Sequence, residues 1–369
     1  MLLKKNILHL NNSNARSQYL LSIGRYHDAS KYNLTIGCFD SYGPLNSALA
    51  SMAIPTVNIP AKGVFGYFCR SFALFRLLKR KKIDILHLHT FYPSFFGVLI
   101  GKLAGIKTIV ITRHHANQHI KLNKKVHIKI DSWTAKNCHK VIAVSEYTKK
   151  IMVDYEKIPG QKIKVIYNGI SPLKSSRKSK KELCDELHIN PASTLFLCIS
   201  RFYKEKNIET AIRSINKVNQ KGFDSTLLIA GAGLDTKYYK DIKKLIQELN
   251  LEDKIICLGF REDIGDLLQA CDALIHPSLE ESFGFAVLEA MSAGKPIFAS
   301  NIPAINEVAT DEVACLFNPT CSEELTGLLL NWSDKKQDSL LRVSKGLDRY
   351  KMYFTFSAMM KEYEKYYEE

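Results

Sequence analysis

Short runs of β-branched and large apolar residues alternate with longer amphipathic stretches along the whole chain, the pattern of right-handed β-α-β units around parallel sheets. In the first half, NILHL (6–10), NLTIGCF (33–39), DILHLH (84–89), TIVIT (108–112), KVIAVS (140–145) and IKVIY (163–167) predict strands. A second series starts over with TLFLCIS (194–200), STLLIAG (225–231), KIICLG (254–259), ALIHPS (273–278) and PIFAS (296–300). Between the two series, SPLKSSRKSKK (171–181) is polar and rich in serine and lysine, as a domain border should be. The expectation is an α/β protein of two Rossmann-like domains facing across a deep cleft. Residues 1–172 form the first domain, 173–190 a linker, 191–346 the second domain and 347–369 a closing helix. A chain of 369 residues has ample length for two separate cores.

Composition adds limits. With 46% hydrophobic and 24% charged residues the chain is ordinary for a globular protein, so disordered and collagen-like classes drop out. MLLKKNILHL has too short an apolar stretch for a secretory leader and suits a first strand. The apolar region FYPSFFGVLIGKLAGIKTIVI is interrupted by Pro93, Lys102 and Lys107, so no membrane span is expected. Nine scattered cysteines without a C-x-x-C pair, among them Cys198 and Cys257 in strand-like runs, read as reduced core residues of a cytoplasmic protein. Charge is lopsided: residues 1–170 hold 26 Lys and Arg against 7 Asp and Glu, whereas residues 171–369 hold 26 against 30. A basic first half attracts phosphates, whether of an anionic bilayer or of nucleic acid. The plain alternative is a solvated surface that aids solubility.

Ligands of open parallel sheets gather at the carboxyl ends of strands, so the residues just after each strand are the first candidates. Arg113, His114 and His115 follow one strand, Arg201 and Lys206 another, and Glu281 a third. Arg201 offers a planar fork of donors and Lys206 a point charge, a pair suited to a diphosphate; taken alone they also read as two surface cations. The segment SFGFAVLEAMSAG predicts a helix opening near Ser282 or Phe283, with Ser282 as N-cap and Gly294 as stop. Its first turn would present free N–H groups to an anion, and Gly284 would let the backbone come close to a ligand. Glu281 and Glu289 lie eight residues apart, about 12 Å along a helix, too far to flank one bond as paired hydrolase carboxylates do. They suit two polyols, one at each end of a ligand.

Other motifs carry less. The G-A-G at 231–233 is too short for a dinucleotide fingerprint, which argues against a dehydrogenase. His114, His115 and His119 could share a metal, but without a nearby acidic or cysteine partner no metal is expected. His87 and His89 lie on one face of a strand and read as packing residues. In GVFGYFCRSFALFRLLKRKK (63–82), Phe65, Phe68, Phe72 and Phe75 recur at helical spacing among Arg70, Arg76, Lys79, Arg80, Lys81 and Lys82. That helix either packs its phenylalanines on the first sheet or docks on anionic lipid.

Seven ordered segments carry a family resemblance: ITRHH (111–115), VIAVSEYTKK (141–150), KVIYNGI (164–170), SRFYKEKN (200–207), LLIAGAG (227–233), ICLGF (256–260) and HPSLEESFGFAVLEAMSAGKPIFAS (276–300). Over nearly its whole length the chain resembles the GT-B glycosyltransferases of family four, whose retaining members carry an E-x7-E pair matching Glu281 and Glu289. The resemblance implies that Arg201 and Lys206 bind the donor diphosphate. Glu281 and the backbone of Ser282, Phe283, Gly284 and Phe285 would hold the donor sugar, and Glu289 the ribose. The loop of Gly259, Phe260 and Arg261 would border the base, and His114 would position the transferred sugar or stabilise developing charge. It also implies a final helix that crosses back to the first domain, with Tyr350, Tyr353, Phe354 and Phe356 as contacts. Chemistry would proceed with retention and without a metal or cofactor, charge building on the departing diphosphate. Two departures stand out: the family's Gly-Gly after the first strand is replaced here by Asn11, Asn12 and Ser13, and E-G-F-G reads E-S-F-G.

The expected function is transfer of a hexose from a nucleotide sugar, a UDP-sugar first among candidates, to a glycan or polyprenyl-linked acceptor in cell-surface polysaccharide or lipopolysaccharide assembly. The expected setting is cytoplasmic, peripheral on an anionic membrane at the inner face of the plasma membrane, without a nucleic-acid partner. Two alternatives differ in what they predict. A sugar-nucleotide epimerase would isomerise its substrate with no acceptor. A nucleic-acid-binding protein using the basic half would be indifferent to Glu281→Ala.

Overall fold

The computed structural model describes residues 3–116, 124–176, 178–332 and 336–369. His119 lies outside the described residues. The chain divides into two compact units: Met1–Ile170 with Phe356–Glu369, and Ser171–Thr355.

The first unit holds a seven-stranded parallel sheet of β1 (Lys5–Asn11), β2 (Tyr32–Cys38), β3 (Thr56–Asn58), β4 (Ile85–His89), β5 (Thr108–Arg113), β6 (Lys140–Ala143) and β7 (Ile163–Val165), in the order β3-β2-β1-β4-β5-β6-β7. Alternate residues feed two cores, as a pleated sheet covered on both faces requires. Leu8, Leu10, Leu86, Leu88, Ile109 and Ile111 enter one core, with Leu74 and Leu78 of the Gly63–Arg80 helix. Ile7, Ile85, Val110 and Ile142 enter the other, with Leu20 and Ile23. The same core takes in Phe356, Met359, Met360, Tyr363 and Tyr367 of the last helix, Phe356–Glu368.

The second unit holds β8 (Thr194–Ile199), β9 (Ser225–Ala230), β10 (Ile255–Gly259), β11 (Ala273–His276), β12 (Ile297–Ser300) and β13 (Cys315–Phe317), all parallel, in the order β10-β9-β8-β11-β12-β13. In each sheet the strand order reverses once, between β1 and β4 and between β8 and β11. These are the crevices where open α/β sheets place ligands.

Several expectations shift. The span 173–190 is not a bare linker. It contains the Lys180–Leu187 helix, opened by a Ser179–Glu182 capping box and seated by fully buried Leu183 and Cys184. The tail is two helices, Lys336–Tyr353 and Phe356–Glu368, and only the second belongs to the first unit. Tyr350, Tyr353 and Phe354 therefore belong to the second unit, and of the four aromatics only Phe356 lies in the first. All nine cysteines are free, and Cys69, unlike the rest, is exposed.

Candidate active site

The strand reversal in the second unit brings together residues far apart in sequence. Arg201 and Lys206 follow β8, and His276, Ser278 and Glu281 end or follow β11, its neighbour. Two ties fix these loops to each other. Asn207, left-handed at φ 51°, donates from its side chain to the carbonyls of Pro277 (3.0 Å) and Pro319 (2.7 Å). The Leu279 N–H donates to the carbonyl of Glu205 (2.9 Å). A third contact supports the Arg201 segment from the other side. Gly231 sits so close that a Cβ there would stand 1.9 Å from the Ser200 carbonyl oxygen, while Phe202 N donates to Ala232 O. The G-A-G segment thus serves backbone packing that only glycine allows at position 231.

Within this frame Lys206 Nζ lies 2.6 Å from Glu281 Oε1, and both side chains are about 15% exposed or less. Ser278 Oγ donates to the same oxygen at 3.0 Å. His276 Nε2 lies 3.1 Å from it. Burial alone would raise the Glu281 carboxyl, but His276 and then Lys206 outweigh it and hold it down at about 2. Glu289 is the opposite case. Its carboxyl accepts no hydrogen bond among the described residues, and burial pushes it up to about 7. The two carboxylates of the E-x7-E pair therefore stand in contrasting environments, one fixed in charge and one poised near neutrality, a contrast typical of functional sites. Arg201 is exposed, joins no ion pair among the described residues and places its guanidinium 5.2 Å from the Tyr203 ring centroid.

The helix after Glu281 runs from Phe285 to Ser292, two to three residues later than expected, and Ser282 is not its N-cap. That position belongs to Gly284, at φ 104°, where a Cβ would meet Ile305 Cδ1 at 2.5 Å. Glycine is required by the left-handed turn and by Ile305. No side chain caps this helix and no acidic residue lies in its first turn, so its leading N–H groups and positive dipole end suit an anion. Phe283 is buried, stacked edge-on against Phe285 and Phe354, so it contributes to a ligand only through its backbone. In the loop after β10, Gly259 is left-handed at φ 68° and Phe260 is exposed. Arg261 is engaged by Asp263 (2.5 Å) and Glu186 (3.1 Å), which leaves Phe260 as that loop's open surface.

The first unit places different chemistry at its strand ends. A pocket is lined by Thr90, Phe91, Ser94, Ile111, Thr112, Arg113, His114, His115 and Asp131. Thr90 takes φ 66°, ψ 162°, a conformation costly for any residue but glycine and so a mark of local constraint. Arg113 is buried and saturated: it forms a two-pronged pair with Glu156 (3.0 and 3.1 Å) and lies 2.7 Å from Asp131. Asp131 is also 3.5 Å from His115, an acidic neighbour that spacing did not foretell.

His114 accepts or donates at 3.2 Å with His89, which in turn pairs with His9 at 3.0 Å. His87 spends both ring nitrogens, on Tyr367 (2.6 Å) and Thr112 (2.7 Å), the satisfied packing role expected of it. Ring nitrogens of His9, His87 and His89 lie within 4.8 Å of one another, but this hydrogen-bond network accounts for them. Burial lowers all four imidazoles, His9 to about 3 and His114 to about 4, the latter aided by His115. His114 is therefore a neutral hydrogen-bonding group. A neutral imidazole at this place is compatible with the expected role of positioning the transferred sugar by a hydrogen bond.

Sequence reasoning missed His276, Ser278 and Asn207. His276 closes the run ALIHPS, so the strand-end rule that selected Glu281 would have found it. Asn207 closes KEKN just before an amphipathic helix, where a left-handed asparagine is a recognisable hinge residue.

Two family models match this chain. Glycosyltransferase Family 4 covers residues 17–172, and Glycosyl transferases group 1 covers residues 179–345. The chain belongs to glycosyltransferase family 4. Within that family, a UDP-Gal:alpha-D-GlcNAc-diphosphoundecaprenol alpha-1,3-galactosyltransferase of Escherichia coli is 29% identical over 65% of this chain and 63% of its own, so the match spans less than two thirds of that relative. The O-antigen chain mannosyltransferase RfbU of Salmonella typhimurium is 28% identical over 67% of this chain and 70% of its own. Among solved structures, HepE of Anabaena in complex with UDP and glucose superposes with a TM-score of 0.84 over 98% of both chains at 21% identity. WaaG, a glycosyltransferase involved in lipopolysaccharide biosynthesis, gives 0.70 over 96% of this chain and 98% of its own at 13% identity. These likenesses establish the GT-B fold of family 4 for this chain.

Proposed function

We propose that this family-four chain is a retaining, metal-independent hexosyltransferase that takes a nucleotide sugar, a UDP-sugar first, and transfers the hexose to a hydroxyl of a glycan or polyprenyl-linked acceptor in cell-surface polysaccharide assembly. The observation that carries the reading is the half-buried Lys206–Glu281 pair, near Arg201 in sequence, and an uncapped helix start, all on neighbouring loops of one sheet. Arg201 and Lys206 neutralise the diphosphate as the bond to the anomeric carbon breaks and charge passes to the leaving group. Glu281, ionised at every physiological pH, accepts hydrogen bonds from the sugar hydroxyls while it keeps Lys206 in place. Glu289, half-buried and with no hydrogen-bond partner for its carboxyl among the described residues, receives the ribose hydroxyls. Phe260 offers a face to the base. The UDP in HepE and the UDP-sugar in the galactosyltransferase's name support the choice of donor.

The neutral His114 and the pocket beside it suit an acceptor hydroxyl better than a phosphate, since an uncharged imidazole can hydrogen-bond a hydroxyl without opposing charge. The expected place of action is the cytoplasmic face of the plasma membrane. Thermal shifts over a panel of nucleotide sugars identify the donor, because a ligand that binds the native state raises the melting temperature. Product analysis by anomeric NMR coupling, with and without EDTA, then tests the rest. Retention in EDTA supports the reading; inversion, or loss of activity restored by a divalent ion, overturns it.

A further inference from the structure

The helix Gly63–Arg80 divides its four phenylalanines. Phe75 packs on the core beside buried Tyr67, Leu74, Leu77 and Leu78. Phe65, Phe68 and Phe72 stand 79%, 70% and 68% exposed. At about 100° per residue these three fall on one stripe, with Cys69 between them and Arg76 and Lys79 continuing it toward the C-terminal end. The stripe is thus aromatic in its first half and cationic in its second. The Arg76 guanidinium lies 5.9 Å from the Phe72 ring centroid. Arg80, Lys81 and Lys82 extend the cationic end, and no Asp or Glu occurs between Asp40 and Asp84 to offset it.

Three phenylalanines on successive turns of a surface helix call for a partner that covers them. Charge selects among partners. A second copy of this chain would set cations against cations, which disfavours self-association through the stripe. An anionic bilayer offers both halves what they lack: an acyl boundary for the rings and phosphate charge for the arginines and lysines. The contact is peripheral, since no helix among the described residues is long and apolar enough to cross a membrane.

We propose that Phe65, Phe68 and Phe72, with Arg76 and Lys79, form the surface by which this protein docks on an anionic lipid bilayer, the helix lying in the plane of the interface. This holds whatever the donor and acceptor are.

Cys69 makes the test direct, because it lies within the stripe and the other eight cysteines are buried or half-buried. An environment-sensitive maleimide dye on Cys69 of the full chain reads the polarity of the stripe itself. Vesicles of phosphatidylcholine alone are compared with vesicles containing about one third phosphatidylglycerol. The expected result is a blue shift and co-flotation with the anionic vesicles only, weakened at about 1 M salt where the Debye length falls to about 3 Å. Co-flotation of unlabelled protein should follow the same order. The triple variant F65S/F68S/F72S should lose at least about tenfold in bound fraction, since three ring insertions are removed, while its UDP titration matches the parent and shows the fold intact. Unchanged emission and no flotation on anionic vesicles overturn the proposal. So do undiminished flotation of the triple variant, a dye response to single-stranded oligonucleotide in place of vesicles, and a dimer in light scattering that the triple variant abolishes.

Discussion

The two units share a parallel doubly wound plan and differ in where they keep charge. The first unit carries 28 Lys and Arg against 11 Asp and Glu, the second 24 against 26. Net charge alone would place a phosphate site in the first. The strand ends say otherwise. In the first unit they hold neutral, mutually bonded histidines and an arginine already saturated by two carboxylates. In the second they hold an arginine outside any ion pair of the described residues, a lysine leaning on one carboxylate and an uncapped helix start. The basic excess of the first unit includes the exposed arginines and lysines of the Gly63–Arg80 helix, on the surface and not at the strand ends. On the readings proposed above, bulk charge and local site therefore point to different partners: the first to an extended anionic surface, the second to a small anion.

Substitutions sharpen this contrast. Arg113→Ala leaves Asp131 and Glu156 buried without their cation and should cost about 3 to 5 kcal/mol in urea unfolding, with UDP affinity unaltered in the folded fraction. Lys206→Ala, by contrast, should lower turnover by about a hundredfold to a thousandfold, or about 2.7 to 4 kcal/mol, with modest loss of stability. If Arg113 proved to govern UDP affinity and Lys206 only stability, the assignment of the two units would be reversed.

Acid titration separates the carboxylates. Glu281 is depressed in the folded protein, so its contribution is complete above its ordinary value near 4.5 and is lost as pH falls toward about 2. That contribution amounts to no more than about 3 to 4 kcal/mol, and a Glu281→Gln variant should lose the corresponding part of the acid-induced decline in unfolding free energy. Glu289 is raised, so stability is lost as pH climbs from its ordinary value near 4.5 to about 7, and in the proposed role its ionised form is the one that accepts ribose hydroxyls. Donor affinity should therefore climb several-fold between about pH 6 and 8, and Glu289→Gln should flatten that climb. A flat profile in the parent protein would detach Glu289 from the donor.

The longer strands of both sheets were legible from sequence. The edge strands Thr56–Asn58 and Cys315–Phe317, of three residues each, were not, although the equally short edge strand Ile163–Val165 was. The Ser282 cap was misplaced because a left-handed glycine, held by contact with Ile305 twenty-one positions on, sets the helix start instead. Site residues were legible as strand-end positions, but their pairing was not. Lys206 meets Glu281 only because β11 lies beside β8. His87 meets Tyr367 only because the last helix packs on the first sheet, a contact across 280 residues of sequence. Pattern fixes which face a residue takes; the order of strands decides which partner it finds.

The central claim is that a nucleotide diphosphate is held in the second unit by Arg201 and Lys206. Calorimetric titration of UDP into the parent protein, Arg201→Ala and His114→Ala tests it most directly. The account predicts binding to the parent, a loss of about tenfold or more in Arg201→Ala, as expected for one charge-assisted contact, and undiminished binding in His114→Ala. No heat with the parent, or a loss confined to His114→Ala, would contradict it.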